Sequence, residues 1–187
     1  MPSSNQIIQE CIKATQANIE RTKKSFTHLS ENQFNWKPQT DKWSVGECIS
    51  HLVNVNNLYL AKIENILASV SFGEEKDFQY KQSLIGKMIA KGVDPASVRK
   101  TKTFKVFFPA SSNINKNIID EYVNSAKKLI ELTQKMLSLD LRKYKLSSPA
   151  NSLIKLNLGD PLIIIPLHDK RHLNQAERVM NLRKFAE

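Results

Sequence analysis

The sequence has few of the residues that mark several common classes of protein. Its 187 residues include only two cysteines, too few for a disulfide framework. It has five glycines and no GxGxxG or GxxxxGK pattern, which argues against a loop that cradles phosphates. No apolar run approaches the ~20 residues that span a bilayer. The first residues, MPSSNQIIQECIK, lack the pattern of a secretory signal. We therefore expect a cytoplasmic protein that does not associate with membranes.

The charge of the chain is strongly positive, with a formal net charge of +10 and a pI near 9.6. Such a charge suits a nucleic acid, a membrane surface or a small anionic ligand. The basic residues are mostly lysines spread along the chain. Their densest cluster, RKTKTFK at residues 99–105, contains one aromatic residue and no known binding motif. We interpret most of this charge as a solvated surface and do not predict binding of nucleic acid.

Apolar residues recur at helical spacing in four long segments, residues 5–29, 44–68, 114–139 and 161–185. The connections between the second and third helices and between the third and fourth are long. We expect a short helix at residues 79–91 in the first of these. Strands of any length are not expected, although residues 104–108 (FKVFF) could pair briefly. The pattern predicts an all-α fold, a four-helix bundle that forms one domain over residues 1–187.

Capping signals mark where two of these helices begin. Ser44 and Glu47 form a capping box, in which the Ser44 hydroxyl accepts from the Glu47 amide and Glu47 reaches back. Asp160 followed by Pro161 predicts an N-cap with proline at the first helical position, where its missing N–H costs nothing.

The chain has four histidines, and three of them are candidate metal ligands. His168 and His172 lie four residues apart, on the same face of the fourth helix as Ile165, Ala176 and Val179, so both should point into the bundle. Residues at i and i+4 project side by side, and one helix can therefore supply two imidazoles to one ion.

His51 lies on a second apolar stripe of the second helix and should face a neighbouring helix. Three histidine ligands leave a position open for water or substrate, as in catalytic metal sites. The alternative is that the buried histidines bond only backbone carbonyls or carboxylates. We interpret His28, at the end of the first helix, as a residue favoured there by the helix dipole.

Two segments of the sequence resemble one family. NWKPQTDKWSVGECISHL (residues 35–52) is similar to the W-S-x-x-E-x-x-x-H segment of the DinB-like superfamily, and HDKRHLNQAERV (residues 168–179) to its H-x-x-R-H-x-x-Q segment. KTKTFKVFFPASS (residues 100–112) resembles the linker before its third helix. The resemblance implies a four-helix bundle, often dimeric, with a divalent metal held by His51, His168 and His172. Zinc and nickel are the usual metals of the family, and imidazole suits both.

The resemblance also suggests an activity. Better understood members are thiol S-transferases that use bacillithiol, mycothiol or glutathione, and others are described as hydrolases. A bound metal can stabilise a thiolate, the nucleophilic form of a thiol, or lower the pKa of a bound water. We therefore expect transfer of a small thiol to an electrophile. A metal-dependent hydrolase and a helical binding module that keeps a metal only for stability are the alternatives, and the sequence leaves open whether the protein is an enzyme.

Two polar residues are candidates to assist the metal site. Glu47 precedes His51 by one helical turn and could support a ligand or act as a general base, although its capping box already explains it. Gln175 follows His172 on the same stripe and could orient that ligand or only satisfy polarity in the core. We interpret Cys48 as a small buried residue rather than a thiolate ligand.

Two tryptophans flank the connection between the first and second helices. Trp36 and Trp43 are interpreted as packing residues where this connection crosses the end of the bundle.

Overall fold

The computed structural model describes residues 1–74, 76–97, 103–109, 111–182 and 185. Within these ranges the chain forms six α-helices and one two-stranded sheet. The helices are α1 (Ser4–Phe26), α2 (Glu31–Asn35), α3 (Val45–Leu67), α4 (Leu84–Val93), α5 (Ile118–Gln134) and α6 (Asp160–Met180). The strands are β1 (Lys145–Ser148) and β2 (Asn151–Asn157). The prediction of a helical fold is confirmed. Residues 99–102 of the basic cluster lie outside the described residues.

The four predicted long helices correspond to α1, α3, α5 and α6. The helix α1 packs against α5 and α6, and α3 packs against the same two helices. The helix α5 ends at Gln134, before the predicted residue 139, although Met136 and Leu139 are buried in the turns that follow. The apolar pattern therefore continued beyond the helix, because these turn residues also face the core. The helix α6 ends at Met180 rather than at residue 185.

The long helices enclose two groups of buried apolar side chains. One group lies toward the sheet and includes Ile8, Tyr59, Ile63, Leu129, Leu156 and Ile165. The other includes Phe26, Phe34, Ile49, Leu52, Tyr122 and Leu173. Residues of the second group neighbour the candidate histidines in sequence, so this group borders the candidate site. In the described residues no helix has the length and apolar character needed to cross a membrane.

A short helix, α2, interrupts the connection between α1 and α3. Ser30 caps it with a second capping box: the Ser30 hydroxyl accepts from the Gln33 amide at 3.2 Å, and the Gln33 side chain accepts from the Ser30 amide at 3.0 Å. Phe34 in this helix is fully buried. Sequence periodicity did not predict α2, because five residues are too few to show a period of 3.6.

The expectation that strands are absent was wrong. Strands β1 and β2 pair antiparallel, with Leu146 opposite Leu156. Among the described residues of the hairpin, these are the only apolar side chains that are buried, so the alternation that marks a strand is weak. Residues 104–108 do not form a strand, because Lys105–Phe107 is a single 3-10 turn.

Asp160 does not cap α6 as predicted. Gly159 occupies the N-cap position and makes no side-chain cap. The Asp160 carboxylate is instead fully buried and accepts from the Tyr80 hydroxyl at 2.7 Å and the Ser83 hydroxyl at 2.6 Å. It also accepts from the backbone N–H groups of Ser83 at 3.2 Å and Asn157 at 2.8 Å. One carboxylate thus joins the start of α6 to the end of β2 and the start of α4.

Candidate metal centre

The structure brings the three candidate histidines together. His51 projects from α3, and His168 and His172 project from successive turns of α6. The ring centroids are 4.5 Å apart for His51 and His172, 4.6 Å for the two α6 histidines and 5.0 Å for His51 and His168. One nitrogen from each ring lies within 4.8 Å of the other two, so the group could hold a metal ion. His28 is exposed beyond the end of α1.

Hydrogen bonds orient two of the rings. The Nδ1 atom of His51 lies 2.7 Å from the carbonyl oxygen of Phe107, and the Nδ1 atom of His172 lies 3.0 Å from Oε1 of Gln175. Because both partners are acceptors, each Nδ1 carries the proton and each Nε2 keeps its lone pair. Partners of this kind fix the tautomer of metal-binding histidines. The sequence suggested the contact of Gln175 but not that of the Phe107 carbonyl.

The third ring completes a set of donors that fits a divalent cation. The Nε2 atom of His168 lies 3.1 Å from Nε2 of His51. A tetrahedral ion with bonds of ~2.0–2.1 Å holds its ligand nitrogens roughly 3.3 Å apart, so this spacing suits two ligands of one ion. The Nδ1 atom of His168 is buried without a hydrogen-bond partner. Three neutral imidazoles that converge on one point are a donor set suited to zinc or nickel.

Burial keeps the three histidines neutral. Loss of solvent lowers the pKa of His51 and lowers that of His168 well below its ordinary value of 6.5. Burial, reinforced by His51, lowers the pKa of His172 from 6.5 to about 3. Desolvation disfavours the charged imidazolium, so at neutral pH the lone pairs that a metal requires are available.

Trp43 lies against the histidines rather than only packing the end of the helices. Its ring centroid is 4.9 Å from that of His51 and 5.8 Å from that of His172. Phe108 meets Trp43 edge to face at 6.4 Å. Trp36, by contrast, packs edge to face on Phe185 at 5.8 Å. The W-S-x-x-E-x-x-x-H segment contains both Trp43 and His51, so this signal could have assigned Trp43 to the site.

Hydrogen bonds hold the Glu47 side chain at the start of α3. Its Oε2 atom accepts from the Ser44 amide at 2.8 Å, and the Ser44 hydroxyl accepts from the Glu47 amide at 3.1 Å, which confirms the predicted capping box. Its Oε1 atom accepts from Nζ of Lys37 at 2.8 Å. Cys48 is fully buried, and burial raises the pKa of its thiol. The group of possible metal ligands found in the described ranges contains no cysteine or carboxylate.

Asp169 supports α6 beside His168 and was missed by the sequence reasoning. Its Oδ2 atom accepts from the Tyr122 hydroxyl at 3.0 Å and from Nδ2 of Asn56 at 3.3 Å, which ties α6 to α5 and α3. Burial raises the pKa of this carboxyl to about 7. A signal was present, because Asp169 lies on a helical stripe of buried apolar residues: Leu162, Ile165, Leu173 and Ala176.

An apolar groove of about 400 Å³ lies elsewhere, between α1 and α6. Ile7, Ala14 and Leu167 are among its lining residues, and none of the three histidines borders it. The convergent donors, not this groove, identify the candidate centre, because a metal site is defined by ligand chemistry.

Long helices that carry three convergent, neutral imidazoles define a helical protein with a potential metal centre. The family model of the DinB superfamily matches residues 14–176, a range that includes all three histidines. The chain belongs to the DinB superfamily, as the two histidine segments suggested. The comparison with curated proteins gives no match, and neither does the comparison with solved structures.

Proposed function

We propose that the protein is a metal-dependent thiol S-transferase that joins a low-molecular-weight thiol to an electrophile. His51, His168 and His172 would hold zinc or nickel. The observation that carries the proposal is the convergence of three imidazoles, which are the only members of the possible ligand group in the described part of the chain. A four-coordinate ion bound by three protein ligands has one position left for a reactant.

The protein residues would position the metal and keep its ligands neutral. A divalent ion held there supplies a positive charge that binds the thiol as its thiolate. The Phe107 carbonyl and Gln175 hold the Nδ1 protons of His51 and His172, which would leave both Nε2 atoms available to bind the ion. Trp43, whose ring lies 4.9 Å from that of His51 and 5.8 Å from that of His172, would limit the access of water to them.

The surroundings of the histidines favour an external thiol as the nucleophile. Both cysteines of the chain are buried, and burial raises the pKa of the Cys11 thiol to about 12 and also raises that of Cys48. Glu47, which could have served as a base for water, is bonded to Lys37 and Ser44. A thiol has an ordinary pKa of ~8.5 and needs less help than water to ionise.

In the transfer itself, the thiol loses its proton and its sulfur forms a bond to the electrophilic carbon. The bond from that carbon to the leaving group breaks, and the leaving group departs with the electron pair of this bond. The released proton passes to solvent, so the products are a thioether, the leaving group with its electron pair and a solvated proton. The net charge of +10 would attract thiols that carry carboxylates.

Other features belong to the same proposal. The four long helices would be the four-helix bundle of the superfamily, in one domain over residues 1–187. The protein would act in the cytoplasm as a homodimer. Gln175 would orient a metal ligand, and Glu47 would support the site by fixing the start of the helix that carries His51.

A rate measurement on metal-loaded protein tests the function. Tag-free protein loaded with zinc or nickel would be assayed with glutathione, bacillithiol or mycothiol and 1-chloro-2,4-dinitrobenzene, beside His51→Ala and the matched variant His28→Ala. We expect metal-dependent thioether formation by wild type and His28→Ala, and its loss in His51→Ala. Hydrolysis of 4-nitrophenyl acetate without thiol transfer would contradict the proposal and favour a hydrolase. Metal binding without either activity would favour a binding module.

A further inference from the structure

Aromatic side chains form a surface beside the candidate metal centre. This aromatic face consists of Trp43, Phe104, Phe107 and Phe108. Phe104 is 59% exposed and Phe108 is 50% exposed, although exposure of large apolar side chains to water is unfavourable. Val106, 52% exposed, adds to the same segment. Contiguous exposed apolar surface is typical of a binding site.

The rings of this face are linked to one another and to the histidines. Phe104 meets Phe107 edge to face at 6.3 Å, and Phe107 meets the His51 ring at 6.4 Å. Trp43 contacts the His51 ring and also meets Phe108. The aromatic face is therefore continuous with the proposed metal ligands and is not a separate patch elsewhere on the surface.

The backbone of the face is fixed to α3 by two hydrogen bonds. The Phe107 carbonyl accepts from Nδ1 of His51 at 2.7 Å, and the Phe108 carbonyl accepts from Nδ2 of Asn54 at 3.2 Å. Two adjacent phenylalanines are thus held at the histidines while their rings stay partly exposed. Rigid aromatic side chains contribute a large contact area to a ligand at a small cost in conformational entropy.

We propose that the aromatic face binds the electrophilic substrate, and that this substrate carries a flat, uncharged aryl group next to its reacting carbon. The inference rests on the proposed transferase function for its chemistry. Aryl groups suit the face because rings stack or meet edge to face with other rings at 4.5–7 Å, in the range of the contacts already present. A charged group would lose part of its hydration against these rings, whereas an uncharged aryl group would not. The continuity of the face with the histidines places the aryl group beside the position of the thiol.

Fluorescence of Trp43 provides a direct binding test. The chain has two tryptophans, so Trp36→Phe leaves Trp43 as the only source of tryptophan emission. Zinc-loaded and metal-free protein with this change would be titrated with 4-nitrobenzyl alcohol, an unreactive aryl probe that quenches tryptophan. We expect saturable quenching in both forms, and weaker competition by cyclohexylmethanol, which is apolar but not flat.

Matched variants locate the probe. Phe108→Ala should weaken binding of the probe about tenfold, the effect expected from losing one ring contact and its buried area, whereas Phe108→Tyr should retain it. Phe72→Ala is the control, because Phe72 is 51% exposed but borders a different groove. If Trp36→Phe impairs folding, calorimetric titration of the wild-type chain and of the Phe108 and Phe72 variants without this substitution gives the dissociation constant of the probe independently.

The outcomes separate this inference from the proposed function. Quenching that does not saturate, or equal affinity of Phe108→Ala and Phe72→Ala, would overturn the aryl site. Equal kcat/KM for 1-chloro-2,4-dinitrobenzene in wild type and Phe108→Ala would also overturn it, while leaving thiol transfer intact. Saturable binding that depends on Phe108, in a protein that transfers no thiol, would support the aryl site and contradict the transferase.

Discussion

Replacement of Gln175 by leucine removes the hydrogen-bond acceptor of His172 while keeping a side chain of similar size. In the structure the Nδ1 atom of His172 lies 3.0 Å from Oε1 of Gln175. In the variant this N–H would be left without its partner, and the tautomer that presents Nε2 to the metal would no longer be fixed. Loss of such a partner weakens metal binding about 10–100-fold, which equals roughly 1.4–2.7 kcal/mol.

The same magnitude follows from the hydrogen bond itself. A typical hydrogen bond contributes about 0.5–1.5 kcal/mol, and an unsatisfied buried donor costs about 1–3 kcal/mol. We therefore expect the dissociation constant for zinc to rise at least about tenfold in Gln175→Leu. Gln175→Glu keeps an acceptor at this position and should bind zinc at least as tightly as wild type.

Competition with a chromophoric zinc chelator measures the effect. Gln9→Leu makes the same chemical change at an exposed position of α1 and is the matched control. A dissociation constant for Gln175→Leu equal to those of wild type and Gln9→Leu would refute the orienting role of Gln175. Circular dichroism of each variant would show that the helices remain formed.

Three further predictions concern stability. Zinc at 100 times its dissociation constant should add about 2.7 kcal/mol to the free energy of unfolding and raise Tm by roughly 5–11 °C in calorimetry. Removal of the zinc with EDTA should reverse the rise. An unchanged Tm would contradict a site that exists only in the folded protein. Asp160→Asn should lower the free energy of unfolding, measured in urea, by about 3 kcal/mol. One carboxylate oxygen accepts from the backbone N–H of Ser83 and the other from that of Asn157, whereas the single oxygen of an amide can accept only one of these bonds. A loss under about 1 kcal/mol would count against this. Glu177→Gln should lower the free energy of unfolding by at most about 1 kcal/mol at neutral pH, because the ion pair of Glu177 with Arg21 is partly exposed. The hydrogen bond from Arg21 lowers the pKa of Glu177 below 4.5, so this contribution is present above 4.5 and disappears as the pH falls through the lowered pKa. A difference between wild type and Glu177→Gln that persists in strong acid would contradict it.

The long helices could be predicted because their apolar period is sustained over many residues, whereas the short elements could not. In α3, positions such as Ile49, Leu52 and Ile63 are all fully buried, and their spacing is visible in the sequence. The hairpin buries only Leu146 and Leu156 among its described apolar residues, which is too few to show a period of two. Its position is determined by contacts with α3, α4 and α6 that no local pattern contains.

The candidate site was predictable to the extent that helix geometry determines it. The spacing of His168 and His172 places both rings on one face of a helix. The approach of His51 depends on the packing of α3 against α6. Its apolar stripe predicted only that it faces a neighbouring helix, and the family resemblance added that this helix is the one that carries His168 and His172. The partner of His51 is the backbone carbonyl of Phe107, which has no side-chain signature and could not be read from the sequence.

Metal content tests the central claim most directly. Wild type, His51→Ala and His28→Ala would be purified without a tag, incubated with zinc or nickel, passed through a desalting column and measured by elemental mass spectrometry. We expect about one ion per chain in wild type and in His28→Ala, and a loss of that ion in His51→Ala. Wild-type protein that retains no metal, or a His51→Ala variant that retains as much as wild type, would contradict the three-histidine site.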